Sequence, residues 1–457
     1  MIGGFRVKLS SLEIKELYGC YDYKVSFNSD VTFLYGTNGC GKTTILNITE
    51  AIITGQLFKL YNYHFSKIIL YYFNSNSVHD KKVIKITSNG SDLNVLFNNT
   101  DYSFSPIEIN DNLSSYKNTS EIAHYYFNKY DFLIEIRRTF NYVYLPLNRS
   151  YNLPSDSTDI YRYRFHNKLY FDEDISLGVS YRDTAMERIE SLIYTNYSKI
   201  STNINKINDN FRNNILKSQI EIKKEFDFKN FLIEIENNNL SDLKKTKFAY
   251  IKILKELNLI NRSEEEEYSN FFDSFIKDFE KFKEKSENYV DGAITINLLL
   301  QYQEITKMKK TVDIAEKMEK QKANVRKPLE IFLNTMNSFI KNNDDEKELC
   351  VNNDGYVYFK TKYNNKISIH HLSSGEKQLI TFFANLIFNV DSKRSGIFVV
   401  DEPELSLHLS WQKIFIDKIL EIDKDIQLIF ATHAPEIVGR RREKMFKLKK
   451  IYTGAIK

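Results

Sequence analysis

The chain has 457 residues, with 64 Lys+Arg against 60 Asp+Glu for a net charge of +4, and is 42% hydrophobic and 27% charged. Such values describe a soluble globular chain with length for about three domains, and they exclude the disordered, collagenous and disulfide-scaffold classes. Three scattered cysteines (Cys20, Cys40, Cys350), no apolar run near the ~20 residues of a membrane span and no signal-like apolar core at the N-terminus point to a cytoplasmic protein without a membrane partner.

Through about residue 165 the chain reads as strands broken by turns. Phe5–Leu12, Tyr21–Phe27, Val31–Tyr35, Lys67–Phe73, Lys82–Ile86 and Leu93–Phe97 alternate and are rich in β-branched and aromatic residues. Glycine is scarce, 15 in the whole chain, yet Gly36, Gly39 and Gly41 fall together in Gly36-Thr-Asn-Gly-Cys-Gly41-Lys42-Thr43-Thr44. This GxxxxGK[ST] follows an apolar strand and precedes the helix-like Ile45–Ile48, the context in which small residues let backbone N–H groups wrap phosphates at a helix N-terminus. Thr37, Asn38, Gly39, Cys40, Gly41, Lys42, Thr43 and Thr44 are therefore candidate ATP-binding residues. Lys42 would neutralise β- and γ-phosphate oxygens and the Thr43 hydroxyl would ligate Mg²⁺.

From about 166 to 345 the period becomes helical. Met186, Ile189, Ile193, Tyr197, Ile200, Ile204, Ile207, Phe211 and Ile215 form one stripe, and Ile305, Met308, Val312, Ala315, Met318, Val325, Leu329, Phe332, Met336 and Phe339 a second. Two such helices are expected to pair as an antiparallel hairpin. Between them Ser263-Glu264-Glu265-Glu266 reads as a capping box ahead of Tyr268, Phe272, Phe275, Phe279 and Phe282, with the acidic run as a solvated first turn and not a metal site.

From 346 strands and helices alternate again. The buried-strand candidates are Gly396–Val400, ending on Asp401-Glu402-Pro403-Glu404, and Ile426–Ala431, ending on Thr432-His433. A strand ending in two carboxylates would place Asp401 at a sheet edge to hold Mg²⁺, directly or through water, with Glu402 as candidate general base. Leu372-Ser373-Ser374-Gly375-Glu376 precedes an apolar helix, Leu379–Val390. His370 and His371 lack a third ligand nearby and read as strand-end residues.

In this order the motifs resemble an ABC-type ATPase of the chromosome-maintenance, RecF-like and overcoming-lysogenization-defect group: Walker A, helical insertion, LSSGE signature, DEPE Walker B, a Ser406-Leu407-His408 D-loop and a Thr432-His433 switch. The resemblance implies an α/β fold, an ATPase head of mixed sheet plus antiparallel β subdomain carrying a helical or coiled-coil hairpin. It divides the chain into 1–165 (lobe with Walker A), 166–345 (helical insertion) and 346–457 (lobe with signature, Walker B, D-loop and switch). It further implies an ATP-dependent homodimer or higher oligomer in which Ser373, Ser374, Gly375, Glu376 and Ser406 meet the neighbour's nucleotide, while His433 contacts the γ-phosphate and attacking water. The family's glutamine loop is missing: Tyr142-Val-Tyr-Leu-Pro146-Leu-Asn148-Arg149 stands there, and Arg149 either reaches nucleotide or is an exposed turn residue.

Exporter and importer subunits lack such an insertion, and zinc-hook repair ATPases carry a CxxC where 166–345 has no cysteine. Only residues 434–457 follow the switch, too few for a Toprim nuclease. The overall pattern resembles ATPase subunits of two-component anti-phage modules of the PARIS and Septu kinds. That resemblance implies a sensor and scaffold holding a separate nuclease effector, Toprim or HNH, until a phage-encoded trigger binds. The alternative is a RecF-like ATPase that binds DNA directly, supported by the basic run Arg440, Arg441, Arg442, Lys444, Lys447, Lys449 and Lys450.

Overall fold

A computed structural model describes residues 7–75, 77–106, 119–140, 142–144, 184–220, 240–256, 258–284, 292–341, 347–389, 396–405 and 407–453. Strands β1 (Val7–Leu17), β2 (Tyr21–Ser26) and β3 (Val31–Tyr35) lead into helix α1 (Lys42–Ile53). A meander of β4 (Lys67–Asn74), β5 (Ser77–Asn89), β6 (Asp92–Phe97) and β7 (Thr100–Phe104) follows, then α2 (Thr119–Lys129), α3 (Asp131–Thr139) and β8 (Tyr142–Tyr144). Next, among the described residues, come the helices α4 (Thr184–Ile220), α5 (Leu240–Glu256), α6 (Arg262–Glu284) and α7 (Gly292–Ile340). The remainder runs β9 (Glu348–Val351), β10 (Val357–Lys360), β11 (Lys366–Ser368), α8 (Ser374–Ala384), β12 (Ile397–Asp401), α9 (Leu409–Ile422), β13 (Gln427–Ala431), α10 (Pro435–Val438), β14 (Met445–Lys447) and β15 (Ile451–Tyr452). Among the described residues no helix is long and apolar enough to cross a membrane.

Two compact units form, one of Met1–Asn196 with Pro328–Lys457 and one of Tyr197–Lys327. The first is built on sheets. Among the described residues an antiparallel sheet runs β15-β2-β1-β4-β5-β6-β7, a parallel one β14-β3-β13-β12-β8, and a small antiparallel one β11-β10-β9. Strand side chains alternate across the parallel sheet. Leu34, Ile397, Val399, Ile429 and Ala431 share a core with Ile45, Leu46, Ile48 and Ile52 of α1 and with the antiparallel sheet. Val31, Phe33, Phe398, Val400, Leu428 and Phe430 share the other core with α8, α9 and the ends of α4 and α7 nearest the sheets, through Met186, Ile189, Ile193, Phe332, Met336 and Phe339. Helices α1 and α8 therefore lie on opposite faces of the parallel sheet. Each fully buried Phe here contributes roughly 1.5–3 kcal/mol, so the sheet is held firmly from both sides.

Gln427 joins the sheets at their start. Fully buried, it accepts from the Leu9 N–H at 2.7 Å and donates to the carbonyls of Leu9 and Asn28 at 2.8 and 2.7 Å, so residues 418 apart are bound without an unmet polar group. The second unit has its own core, in which Leu243 of α5 meets Phe272, Phe275 and Phe279 of α6 and Leu298, Tyr302 and Ile305 of α7.

Three details differ from the sequence reading. Helices α2 and α3 occupy a stretch read as strands and turns, because Phe132, Leu133 and Ile136 bury one helical face. The capping box of α6 starts at Asn261: its Oδ1 accepts from the Ser263 and Glu264 N–H groups, and the Glu264 carboxylate accepts from the Asn261 N–H at 2.8 Å. Helix α8 ends at Ala384 and continues as a π turn over Asn385–Asn389.

Candidate functional site

The loop between β3 and α1 approaches its neighbours too closely for side chains. Gly41 caps α1 at φ 100°, a left-handed conformation that favours glycine, and a Cβ there would lie 2.7 Å from the Tyr23 hydroxyl. A Cβ on Gly36 would meet the Cys40 sulfur at the same distance. The Tyr23 hydroxyl donates to the Cys40 carbonyl at 3.0 Å, and burial pushes its pKa up to about 12. Thr37, Asn38 and Gly39 are exposed at the loop's rim, Thr43 is exposed, and Thr44 and Gly41 are partly covered. Lys42 is only 7% exposed, and its ammonium donates to the Gly36 carbonyl at 3.3 Å, a long bond for a buried charge. Its arrangement suits a phosphate, which would complete the charge.

Strand order brings the distant motifs to this loop. β13 lies between β3 and β12, so the carboxyl ends of the three parallel strands put the P-loop, Thr432-His433 and Asp401-Glu402 side by side. The Thr43 hydroxyl stands beside Asp401, whose Oδ1 is buried without a hydrogen-bond partner among the described residues. Burial raises the Asp401 pKa above the ordinary carboxylate value, opposed by the Thr43 hydroxyl and by Lys42 and reinforced by the Glu402 and Glu404 charges. An orphaned carboxylate oxygen beside a threonine hydroxyl fits Mg²⁺, which takes oxygen ligands and draws the rest of its shell from phosphates and water. Among the described residues no group of three or more His, Cys, Asp or Glu forms a metal cage, so the protein's share would be Thr43 and Asp401.

Glu402 sits at φ 50°, left-handed for a non-glycine residue, with its N–H donating to the Ala431 carbonyl at 2.8 Å. Such strain persists where surrounding structure enforces it and concentrates at functional sites. No hydrogen bond or ion pair engages its carboxylate among the described residues, which leaves a base available. His433 is exposed. Its N–H donates to Glu404 Oε1 at 2.6 Å, and the Thr432 hydroxyl donates to Glu404 Oε2 at 2.8 Å. Glu404 and Tyr23 were not singled out from sequence. The doubled acid of DEPE was a signal for Glu404, whereas nothing local marks Tyr23.

Ser373 caps α8. It accepts from the Glu376 N–H, and the Glu376 carboxylate accepts from the Ser373 N–H at 2.9 Å and from its hydroxyl at 2.7 Å, a complete capping box. Ser373 and Ser374 are exposed, while Gly375 and Glu376 are buried. Because α8 and α1 lie on opposite faces of the sheet, the signature stands apart from its own chain's P-loop. His370 pairs with Glu190 of α4 at 3.1 Å. Ser406 and Arg149 lie outside the described residues. In the basic run, Arg441 pairs with Asp417, Lys444 with Asp30 at 3.0 Å, and Lys450 lies 4.6 Å above the Tyr21 ring.

A P-loop at the carboxyl edge of a parallel sheet, with an acidic strand end beside it, defines a P-loop nucleotide-binding ATPase of α/β class. Residues 8–438 match the AAA ATPase domain family AAA_15, and the chain belongs to that family. It is 34% identical over 85 residues to the Retron Ec83 probable ATPase of Escherichia coli, and 34% identical over 86 residues to the Retron Vc95 probable ATPase of Vibrio cholerae serotype O1 biovar El Tor. Each match covers 17% of this chain, and only 16% and 17% of those proteins. The Smc head domain with an extended coiled coil from Pyrococcus furiosus aligns over 98% of this chain and 96% of its own, at TM-score 0.39 and 14% identity. The recombination mediator RecF with ATPrS aligns over 96% of each chain at TM-score 0.34 and 12% identity. Scores of this size leave the functional reading to the site itself.

Proposed function

We propose that this ATPase binds Mg–ATP at Thr37–Thr44 and hydrolyses it with Glu402 as general base and His433 at the γ-phosphate. The observation that carries the reading is the meeting of Lys42, Thr43, the orphaned Asp401 oxygen and the unengaged Glu402 at one sheet edge. Lys42 exchanges a weak carbonyl contact for phosphate oxygens, and Thr43 and Asp401 hold Mg²⁺. The ion offsets phosphate charge when bound. Glu402 removes a proton from the attacking water, while backbone N–H groups of the loop orient the phosphates. The neighbour's nucleotide is met by Ser373 and Ser374 at the exposed end of α8, and by Ser406, with Gly375 letting the backbone approach and Glu376 holding the cap. ATP occupancy thereby favours a homodimer or higher oligomer. Steady-state hydrolysis, with oligomer mass measured with and without ATP, tests this; turnover unaffected by Glu402→Gln would sink the base assignment.

At the level of the cell, the chain serves as the sensor and scaffold of a bacterial anti-phage complex in the cytoplasm, controlling a separate nuclease of Toprim or HNH type until a phage-encoded trigger binds. Similarity to two retron-encoded ATPases supports a defence setting over housekeeping repair. Direct DNA binding is the weaker reading, since Arg441, Lys444 and Lys450 are engaged within the chain. Copurification with the product of the neighbouring open reading frame tests the scaffold role, and absence of any complex would refute it.

A further inference from the structure

The second acid of the β12 turn is committed to a task that hydrolysis chemistry itself does not require. Glu404 reaches from the turn after β12 to the turn after β13, and its two oxygens divide the work: Oε2 accepts from the Thr432 hydroxyl at 2.8 Å and Oε1 from the His433 N–H at 2.6 Å. Charged acceptors make such bonds short and strong. Thr432 is 2% exposed, and its hydroxyl oxygen accepts in turn from the Ala434 N–H at 3.0 Å, so one carboxylate fixes three successive residues of the switch. Glu404 is itself held, because its carbonyl accepts from the Leu407 N–H at 3.2 Å and from the buried Gln412 side chain at 3.4 Å.

The place of these bonds matters. Parallel pairing of β12 with β13 ends at Asp401 opposite Ala431, and the Glu404 contacts lie just beyond it. Strand association does not depend on them; the position of His433 does. Together with the Glu402 N–H bond to Ala431, they tie the candidate base and the candidate γ-phosphate contact into one frame. We infer that Glu404 is a positioning residue for ATP hydrolysis, acting through the backbone of His433 and the hydroxyl of Thr432 to hold the switch histidine against the Glu402 turn. The inference rests on the reading of His433 given above.

A double-mutant cycle on the full chain tests it, with kcat and KM for Mg–ATP, fluorescent-nucleotide affinity and thermal unfolding measured for each variant. Displacing a group by about 1 Å can cost on the order of a hundredfold in rate, so Glu404→Ala should lower kcat by about ten- to a hundredfold. KM and nucleotide affinity should stay within about twofold of wild type, and Glu404→Gln, which keeps length and one acceptor oxygen, should recover part of the loss. His433→Ala combined with Glu404→Ala should be no slower than His433→Ala alone, because a residue acting only through His433 has nothing left to position. If His433→Ala has normal kcat, the reading of the switch fails and takes this inference with it. If His433→Ala is slow but Glu404→Ala is normal, or their losses multiply, the positioning role alone is overturned. Should Glu404→Ala not fold, Glu404→Gln and Thr432→Val complete the same cycle, and losses multiplying there overturn the inference equally.

Discussion

Two ends in the first unit present backbone N–H groups at a helix start, yet they are finished differently. The start of α8 is self-sufficient: Ser373 and Glu376 satisfy each other in a closed capping box. The P-loop end of α1 has no side-chain cap, its lysine rests on a carbonyl at 3.3 Å, the facing Asp401 has an unmet oxygen and Glu402 is strained at φ 50°. The difference teaches which surface waits for a ligand. An uncapped helix end among unbalanced charges gains most when an anion and a cation arrive together, whereas a capped end keeps its shape for whatever is brought to it.

Substitutions at the two ends should separate accordingly. Glu402→Gln should reduce turnover by about a thousandfold, within the range for removing a general base, while ATP binding persists and ATP-bound oligomer accumulates. Normal turnover with normal oligomer size would break the contrast at its strongest point. Lys42→Ala should weaken ATP binding by about a hundredfold, equivalent to roughly 3 kcal/mol for removing one member of a buried charge pair. Isothermal titration reads this directly, and unchanged affinity would remove the P-loop assignment.

Asp401→Asn should stabilise the nucleotide-free protein by on the order of 1 kcal/mol while abolishing the gain from Mg²⁺, because the buried charge it removes is only partly compensated. The sign follows from its raised pKa. The folded state holds this proton more tightly than the unfolded chain, so the stabilisation is complete below about pH 4 and is lost as pH rises through the folded-state value. Melting curves from about pH 4 to pH 7 should therefore fall more steeply for wild type than for Asp401→Asn; parallel curves would contradict the assignment. Smallest is Ser373→Ala, which should cost about 1 kcal/mol of stability through loss of the cap and lower turnover, leaving ATP affinity unchanged. A matching loss of affinity would mean that the signature serves its own chain's nucleotide.

Much of the fold was legible because its signals are local. Val31–Tyr35 reads as a strand and is one, and Met186, Ile189 and Ile193 read as one helical stripe and are buried together. The P-loop was legible because Gly41 must adopt φ 100° under the Tyr23 hydroxyl, a demand that leaves glycine in the sequence. The Asn261 cap, α2 and α3 were not. The sequence reading starts the cap at Ser263, whereas Asn261 supplies the oxygen that accepts the first N–H groups, and short apolar segments such as Asp131–Thr139 satisfy strand and helix patterns alike until burial selects one.

By itself the sequence determined the local motifs on offer: a glycine-rich GxxxxGK[ST] loop after a strand, LSSGE ahead of an apolar helix, an acidic strand end and a Thr-His strand end, each written in adjacent residues because dihedral angles and turns are local demands. Only the tertiary structure decided which of them meet. The order β3-β13-β12 sets Lys42, His433 and Asp401 along one edge, the alternation of strand side chains sends α1 and α8 to opposite faces, and the reach of Glu404 to His433 exists only once those strands are neighbours. Pairing between the two ends of the chain, as in the bonds of Gln427 to Leu9, is chosen by burial and satisfied hydrogen bonds over the whole unit, and no short stretch of residues carries that information.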